Sequence, residues 1–431
     1  MKLLNLKGTD DFLPSRQITR NKIISVLRNN FEKYGYLPIE TPILNYYDLL
    51  AYKYESDAEI LSEIYKLTDQ GGRELGLRYD LTVPFCKVIG LNKDLSLPFR
   101  RYEIGKVFRN GPVKLGRTRE FYQCDVDVVG IDNRFIEAEQ ILMAINTYKD
   151  LGIDIIVKYN NRKLMSGLIK EVGIEEDKIS SVIGIIDKMD KITKNELIEN
   201  LQKLTIENSK IEKLLSYFEL SFSEYLDLFR ETNNKEVEEG LNELIELNSY
   251  LEELNIKDSC LFTPTLARGL TIYTGVVFEF YDKELRISSA LGAGGRYNKI
   301  ITDFMNNGNL YPAIGLSFGL EPIYAILKEK EIEESLINIY LVPLNTNIET
   351  LKIANNLRKE NIKVLVEMNK KKVGKCFEYA DRMNIKFISI IGSNEIESGI
   401  LKLKNMQKKE EIEVKIEDLV NFLQNNIDNE K

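Results

Sequence analysis

The first part of the chain combines one helical hydrophobic pattern with several extended ones. Over residues 16–34, apolar side chains recur at helical spacing and predict an amphipathic helix. Segment 36–42 contains two prolines, which suit an irregular or edge strand better than a central one. Apolar and polar residues then alternate over 97–109 and 117–129, so we expect a strand-rich region from about 60 to 130.

A change of character at about residue 170 interrupts this strand-rich pattern. From about 170 to 255 the chain is rich in Glu, Lys, Leu and Ile at helical spacing, which predicts an all-helical insertion. Strand patterns return at 275–281 and 285–291, and residues 282–284 between them suit a short hairpin loop. We therefore expect an α+β domain over residues 1–328 with one helical insertion.

The last part of the chain predicts a second domain, which we assign to residues 336–431. Short apolar strands alternate there with helical patterns, as in an α/β domain whose sheet is mostly buried. The predicted strands are 337–342, 362–367 and 386–391, and the predicted helices are 348–360, 373–384 and about 416–427.

Length and composition limit the class of protein. A chain of 431 residues with 43% hydrophobic residues is ordinary for a soluble globular protein of two or three domains. It shows neither a signal peptide nor a run of eighteen apolar residues, so we expect a cytoplasmic protein that does not engage a membrane. Its cysteines, at positions 86, 124, 260 and 376, are far apart and should be reduced thiols rather than disulfides or a zinc site.

The chain contains no histidine, and this narrows the possible chemistry. It excludes an imidazole general base, a histidine-containing catalytic triad and a histidine metal ligand. Ionic catalysis must therefore use arginine, lysine, carboxylates or a loosely held metal ion. The net charge of −8 argues against a general nucleic-acid coat protein, although an uneven distribution of charge still allows a nucleic-acid partner.

The most informative segment is the predicted strand at 117–129. With a period of two, its even positions from 122 onward are mostly apolar, and its odd positions place polar and aromatic side chains on one face. Their order suits a ligand that is anionic at one end, flat in the middle and cationic at the other. The alternative is the solvated face of an antiparallel strand. The odd positions are Arg117, Arg119, Phe121, Gln123, Asp125 and Asp127.

Further clusters carry polar side chains that could contribute to the same site. Two of them are glycine-rich segments, 266–275 and 292–297, which alone indicate only turns. Each also contains an arginine and a tyrosine, and this combination favours a binding site. The candidate residues of all these clusters are Asp80, Thr82, Arg109, Arg268, Tyr273 and Tyr297.

Taken together, these segments resemble those of the histidyl-tRNA synthetase family of class II aminoacyl-tRNA synthetases. Residues 36–42 resemble motif 1, and residues 108–123 resemble motif 2. Segments 268–275 and 294–297 resemble the family's histidine-binding signatures, at a similar distance apart. The resemblance covers essentially the whole chain. It implies a class II synthetase-like catalytic core on an antiparallel sheet, with a helical insertion, followed by an anticodon-binding-type α/β domain.

The resemblance implies which residues bind L-histidine. The α-ammonium group would be held by Asp80, Thr82 and Gln123, and the imidazole nitrogens would be hydrogen-bonded by Asp127 and Tyr273. The full set implied for histidine is Asp80, Thr82, Arg109, Gln123, Asp127, Arg268, Tyr273 and Tyr297.

The resemblance also implies that ATP is a substrate, with Mg²⁺ bridging its phosphates. Arg109 and Arg268 would be the catalytic residues, which grip the amino-acid carboxylate and the α-phosphate. Arg117 would reach the terminal phosphates, and Phe121 would stack on adenine. Adenylation brings two anions together, and fixed arginines stabilise the transition-state charge without any histidine.

The implied partners are tRNA(His) and a second copy of the chain. The enzyme would be a homodimer with Pro42 at its interface, and the C-terminal domain would bind the anticodon. The lysine run at 370–375 could meet RNA phosphates, although such a run is more often plain solvated surface.

Three positions depart from the family pattern. Pro322 stands where motif 3 usually has an arginine that lies against adenine, although proline suits the first turn of a helix. Gly111 stands where motif 2 commonly has an acid, and Thr271-Ile272 replaces an Asp-Tyr pair. Two alternatives therefore stay open: a catalytically inactive regulatory subunit of ATP phosphoribosyltransferase, which normally lacks the anticodon-type domain, and a paralogue that activates another amino acid.

With this family in view, the absence of histidine suggests a hypothesis about supply. An enzyme that charges histidine, and is itself made without histidine, could still be synthesised when that amino acid is scarce. Chance loss of the residue is the alternative.

Overall fold

The computed structural model describes residues 3–52, 58–113, 118–268, 272–328, 335–369 and 371–427. The chain divides into two compact units, Met1–Glu329 and Lys330–Lys431. The first has a large, mainly antiparallel sheet with helices, and the second has a smaller sheet, so the predicted α+β class is confirmed. Within the described ranges, no helix is long and apolar enough to cross a membrane.

The first unit is built on an eight-stranded sheet with the strand order β1-β5-β6-β11-β10-β9-β7-β8. Only the outer pairs β1–β5 and β7–β8 are parallel. A separate three-stranded sheet has the order β2-β4-β3. The strands are β1 (Leu37–Pro38), β2 (Leu44–Tyr46), β3 (Lys66–Thr68), β4 (Glu74–Leu77), β5 (Phe99–Phe108), β6 (Glu120–Val129), β7 (Ile155–Asn161), β8 (Cys260–Phe262), β9 (Val276–Asp282), β10 (Gly292–Arg296) and β11 (Ala313–Gly319).

The helices of the first unit lie on both faces of the large sheet and extend beyond it. They are α1 (Pro14–Lys33), α2 (Tyr47–Tyr52), α3 (Ala58–Glu63), α4 (Thr82–Leu91), α5 (Phe135–Asp150), α6 (Arg162–Glu171), α7 (Ile179–Ile186), α8 (Lys194–Gln202), α9 (Asn208–Tyr217), α10 (Phe222–Leu228), α11 (Lys235–Glu253), α12 (Asn298–Met305) and α13 (Leu320–Leu327). Helices α6 to α11 occupy the helix-rich part of the sequence between β7 and β8.

Helix α1 shows how the apolar pattern becomes part of the core. Its first residue is Pro14, which needs no backbone N–H partner at that position. Ile23, Leu27 and Phe31 lie on its buried face and belong to the same core as Val126 of β6. These helices cover one face of the central strands, and on the opposite face α4 and α12 pack against Val129 and Ala313 beside the space that forms a site.

The predicted hairpin at 282–284 is wrong, because residues 285–291 do not form its second strand. The Asp282 carboxylate accepts hydrogen bonds from the backbone and the guanidinium of Arg286, at 2.8 and 2.9 Å, which closes a turn. Leu285 inside this turn has a φ of 55°, which is incompatible with a strand. The strand that pairs with β9 is instead the glycine-rich β10.

The second unit contains a five-stranded sheet with the order β13-β12-β14-β15-β16. Strand β12 is parallel to both of its neighbours, and the pairs β14–β15 and β15–β16 are antiparallel. The elements are β12 (Ile339–Pro343), α14 (Asn347–Lys359), β13 (Val364–Val366), α15 (Val373–Arg382), β14 (Phe387–Ile391), α16 (Ser393–Ser398), β15 (Ile400–Asn405), β16 (Glu410–Lys415) and α17 (Leu419–Ile427).

Candidate active site

A cavity of about 290 Å³ lies on the open face of the central strands of the first unit. It is bounded by β6, β10 and β11, by the start of α4 and by the segments around Arg268 and Tyr273. Its lining residues are Tyr79, Asp80, Thr82, Arg109, Gln123, Asp125, Asp127, Arg268, Ile272, Tyr273, Ala293, Tyr297, Gly315, Leu316 and Ser317.

Strand β6 forms one wall of this cavity, as its alternating sequence predicts. Cys124 and Val126 are fully buried against the helices. On the opposite face, Gln123, Asp125 and Asp127 line the cavity. The two aspartates are only 4% and 3% exposed, so this face is not the solvated strand surface that was the alternative.

Asp127 is held at the end of the cavity by two buried partners. Its Oδ2 lies 2.6 Å from a guanidinium nitrogen of Arg101, which is itself fully buried on β5. The Tyr297 hydroxyl donates a hydrogen bond to Asp127 Oδ1. Burial, and then the charge of Asp127, raise the pKa of Tyr297 well above its usual value. Tyr297 is therefore a hydrogen-bond donor at any physiological pH.

Gly315 makes room for this carboxylate. It is the direct partner of Asp127 in the β6–β11 register. A Cβ atom at Gly315 would lie 2.1 Å from Asp127 Oδ1 and 3.1 Å from the Tyr297 ring. Only glycine allows the carboxylate to lie over the neighbouring strand in this way.

A second buried ion pair lies beside the cavity. Arg78 donates to a carboxylate oxygen of Glu103 at 2.8 Å, and that oxygen also accepts from the Thr41 backbone N–H and hydroxyl. Arg78 passes over Gly105 of β5, where a Cβ would lie 2.3 Å from its guanidinium. Arg101 lies 3.7 Å from Glu103 and so links this cluster to Asp127.

The carboxyl group of Asp125 is strongly perturbed by its surroundings. Burial raises its pKa to about 7, because the charge of Arg101 and a hydrogen bond from Ser317 only partly offset the lost solvation. The nearby carboxylates of Asp127 and Asp80 raise it further.

Arg109 lies between two aromatic rings at the opposite end of the cavity from Asp127. Its guanidinium carbon is 4.3 Å from the centre of the Tyr79 ring and 4.9 Å from that of Phe121. Its Nε donates to the Tyr79 carbonyl at 3.3 Å. These contacts orient a cation that lines the cavity, and they bring Phe121 beside it.

Arg268 is the second arginine of the cavity and has a strained backbone. Its φ of 45° lies in the left-handed region, which non-glycine residues rarely adopt. Burial opposes its charge, but Tyr273 and Glu279 keep its pKa above the usual value. Its guanidinium carbon is 5.1 Å from the centre of the Tyr273 ring. Such strain is typical of functional positions.

Asp80 and Thr82 enter the cavity at the start of α4. The backbone N–H of Val83 donates to Asp80 Oδ1 at 2.9 Å, which fixes this carboxylate near the first turn of the helix. Both side chains line the cavity.

The structure brings most of the predicted site residues together around one cavity. Phe121 does not line it directly and is joined to it through Arg109. Arg117 and Thr271 lie outside the described residues. All the residues implied for histidine line the cavity: Asp80, Thr82, Arg109, Gln123, Asp127, Arg268, Tyr273 and Tyr297.

Several buried residues of the site were not predicted. Arg101 and Glu103 lie on the same face of β5, as the alternation of side chains along a strand would predict. Neither their residue types nor their spacing indicated which strand would lie beside β5. Ser317 and Gly315 come from β11, about 190 positions after their partners on β6. Arg78 and Tyr79 directly precede the predicted Asp80.

Pro322 occupies the third position of α13, where a missing backbone N–H is harmless. The preceding Glu321 forms a 2.6 Å ion pair with Arg20 of α1. An alanine side chain at Gly319 would lie 3.0 Å from the proline ring. The helix therefore begins normally without the arginine that the resemblance leads one to expect.

The donor set of the site does not resemble a preformed metal site. Among the residues that the structure describes, no group of three or more Asp, Glu or Cys side chains could hold a metal ion. The carboxylates of Asp80, Asp125 and Asp127 are accompanied by arginines instead.

Comparison with known proteins identifies the family. The model of the family "Histidyl-tRNA synthetase" matches residues 8–323, and the model "Anticodon binding domain" matches residues 338–426. Histidine--tRNA ligase 1 of Bacillus cereus is 43% identical over 432 residues, covering 98% of this chain and 100% of that protein. Histidine--tRNA ligase of Pyrococcus furiosus is 32% identical over 431 residues, covering 97% of this chain and 98% of that protein.

Solved structures agree with these matches. The crystal structure of histidyl-tRNA synthetase from Nostoc sp. PCC 7120 has a TM-score of 0.86 and 27% identity, covering 99% of this chain and 100% of that one. A structure described as an ATP phosphoribosyltransferase regulatory subunit/histidyl-tRNA synthetase from Bacillus halodurans has a TM-score of 0.77 and 21% identity, covering 91% and 99%. The latter likeness concerns the fold alone. On the two family models and the near full-length relatives, this chain belongs to the histidyl-tRNA synthetase family.

Proposed function

We propose that this chain is a histidine--tRNA ligase, which activates L-histidine with ATP to histidyl-adenylate and transfers the histidyl group to tRNA(His). The observation that carries the proposal is the cavity whose lining combines carboxylates with two oriented arginines. A free amino acid has a cationic ammonium group and an anionic carboxylate, and this distribution of charge is complementary to it. Family membership supplies the identity of the amino acid.

The amino acid would be held along the face of β6. Asp80, Thr82 and Gln123 would bind the α-ammonium group. Asp127 and Tyr273 would hydrogen-bond the imidazole, with Tyr297 beside them in the pocket wall. A buried carboxylate that has been built to pair with a ligand N–H rejects ligands that lack it, because its charge would remain unpaired.

Arg109 and Arg268 would stabilise the transition state of adenylation. They would bind the amino-acid carboxylate and the α-phosphate of ATP, and so reduce the repulsion between the two anions. Guanidinium groups suit this role because they stay charged and can bind oxyanions through two hydrogen bonds. The ring contacts of Arg109 and the buried position of Arg268 favour such preorganised charge.

Phe121 would stack on adenine, and Arg117 would reach the terminal phosphates. We propose that Mg²⁺ accompanies ATP and is bound mainly by its phosphates, as Mg²⁺ commonly is in nucleotide sites. No described residue is assigned to it, and no step above depends on it.

A homodimer is proposed from the surface around motif 1. Leu37, Ile43, Leu44 and Tyr46 are large apolar side chains that are 63%, 41%, 48% and 59% exposed. With Pro42 among them they form an apolar strip of a kind that often marks an interface between chains. Sedimentation velocity should then give twice the mass of the chain.

The second unit, which matches the anticodon-binding domain, would contact tRNA(His). Lys370 lies outside the described residues, and Lys371 is paired with Glu367 at 2.8 Å. Lys372 and Lys375 are exposed and could meet phosphates. A role in translation would place the protein in the cytoplasm.

The decisive experiment is ATP–pyrophosphate exchange with the purified protein, tested with each of the twenty amino acids. Exchange that requires histidine, followed by charging of tRNA(His), is the expected result. Exchange only with another amino acid would identify a paralogue of different specificity. A lack of exchange with every amino acid would refute enzymatic activation and favour a regulatory role.

A further inference from the structure

Asp125 lies in the cavity wall between Gln123 and Asp127, and the proposed function gives it no role. Its side chain is 96% buried, and Ser317 donates a hydrogen bond to it. Its Oδ1 has no hydrogen-bond partner among the described residues. An unpaired buried acceptor is costly, so a donor from a ligand is the natural complement of this oxygen.

A second acceptor without a donor lies next to it. The Nε2 atom of Gln123 donates to Ser317 Oγ at 3.4 Å, while Gln123 Oε1 has no partner in the described part of the chain. Gln123 and Asp125 therefore meet at Ser317 and both present oxygen atoms without donors. An ammonium group offers three N–H donors, whereas a neutral imidazole offers one. Two adjacent free acceptors favour the ammonium group.

The charges around Asp125 also favour a cation. Asp127 on the same strand and Asp80 before α4 both raise its pKa, after burial, which is the largest cause. Arg101 on β5 lowers it, but this guanidinium is shared with Asp127 at 2.6 Å. Glu103 on β5 is the cross-strand partner of Asp125 and is itself occupied by an ion pair. In the ligand-free protein, the surroundings of Asp125 therefore contain more carboxylates than cations.

We propose that Asp125 is a further binding residue of the pocket, whose carboxylate pairs with the α-ammonium group of the amino acid beside Asp80 and Gln123. The inference rests on the proposed activation of histidine. It leaves the imidazole to Asp127, the next residue on this face of β6, which already has Arg101 and Tyr297 as partners.

The assignment makes histidine binding release a proton. In the ligand-free protein a carboxyl group with a pKa of about 7 is half protonated at pH 7. The incoming ammonium group favours the carboxylate, so its pKa falls and the proton is lost. Binding at pH 7 should therefore release roughly half a proton from this group.

The test is a double cycle that combines one protein variant with one ligand variant. Titration calorimetry measures the Kd of histidine, and of 3-(imidazol-4-yl)propanoate, which lacks only the ammonium group. Asp125→Asn keeps the shape of the side chain and removes its charge. It should weaken histidine binding about 10- to 100-fold and change the affinity for the deamino ligand less than about threefold.

Two results would overturn the assignment. Equal weakening of both ligands would mean that Asp125 acts on the imidazole or only on the shape of the pocket. Unchanged histidine binding would mean that it has no role. The proposed function fails separately, if the wild-type protein does not bind histidine. Asp227→Asn is the matched control, because Asp227 is 76% exposed on α10, and it should leave both affinities unchanged.

A second measurement keeps the proposal testable if Asp125→Asn does not fold. Ser317→Ala retains the carboxyl group but removes its hydrogen-bond donor, which should raise the pKa of Asp125 further. Calorimetry at pH 7 in buffers of different ionisation enthalpy then counts the protons released with histidine. We expect more release than from the wild type, and equal counts would overturn the proposal.

Discussion

The sharpest prediction concerns Gly315, the residue opposite Asp127. In Gly315→Ala the new Cβ would lie 2.1 Å from Asp127 Oδ1, whereas ordinary contacts begin at 3.4 Å. The β11 backbone is paired on both sides, so the carboxylate must move by more than about 1 Å. That displacement takes it beyond hydrogen-bonding distance of Tyr297 or Arg101, which now hold it.

The expected loss follows from these contacts. A hydrogen bond to a charged group is worth about 1.5–3 kcal/mol, which corresponds to about 10- to 100-fold in affinity. The KM for histidine in ATP–pyrophosphate exchange should therefore rise about 10- to 100-fold in Gly315→Ala. The KM for ATP should change far less, since Asp127 lies at the amino-acid end of the cavity.

Gly184→Ala on α7 is the matched control for this variant. No atom lies within 4 Å of the Cβ position of Gly184, and the alanine should stabilise the helix by about 0.5–1 kcal/mol. Wild-type kinetics are expected for it. An unchanged KM for histidine in Gly315→Ala, with the fold intact by circular dichroism, would refute the position assigned to the Asp127 carboxylate.

Four further predictions follow from the site, the surface and the composition. Arg268→Lys should lower kcat for adenylate formation about 100- to 1000-fold in single-turnover measurements, because lysine cannot reproduce a bidentate contact. Burial raises the folded-state pKa of Asp125 from 3.8 to about 7, so folding favours the protonated carboxyl group. Its contribution to the stability of the ligand-free protein is therefore full below pH ~3.8 and is lost as the pH rises to about 7. Melting temperatures between pH 5 and 8 should therefore vary less in Asp125→Asn than in the wild type. Replacing both Lys372 and Lys375 by Gln should reduce the salt dependence of tRNA binding by a slope of about 1.4, if both meet single-stranded phosphates. Under histidine starvation, pulse labelling should show continued synthesis of this chain, and a fall parallel to histidine-containing proteins would contradict the supply hypothesis.

The composition of the functional face could be predicted from the sequence because strand side chains alternate. Phe121, Gln123, Asp125 and Asp127 share a parity, and β6 places the last three of them on the cavity. The alternation of side chains along a strand does not show which face of the sheet other elements will cover. The burial of this face was decided by the elements that enclose it, which are the start of α4 and the segments around Arg268, Tyr273 and Tyr297.

The failed hairpin at 282–284 shows the limit of local pattern. Residues 285–291 contain alternating apolar positions, but Asp282 and Arg286 close a turn across the start of that segment. The edge of β9 is filled instead by β10, a glycine-rich segment that resembles a loop by composition. Close backbone approach in the sheet, rather than local propensity, decided that pairing.

The sequence by itself determined the type of chemistry available. With no histidine in the chain, anionic groups of a substrate must be met by arginine, lysine or a metal ion, and the resemblance indicated which arginines. The tertiary structure alone decided the partners of each carboxylate. Arg101, Gly315 and Ser317 approach Asp125 and Asp127 only because β5 and β11 flank β6. The pKa of a buried acid depends on such neighbours and on the loss of water, and neither is encoded in the spacing of residues along one strand.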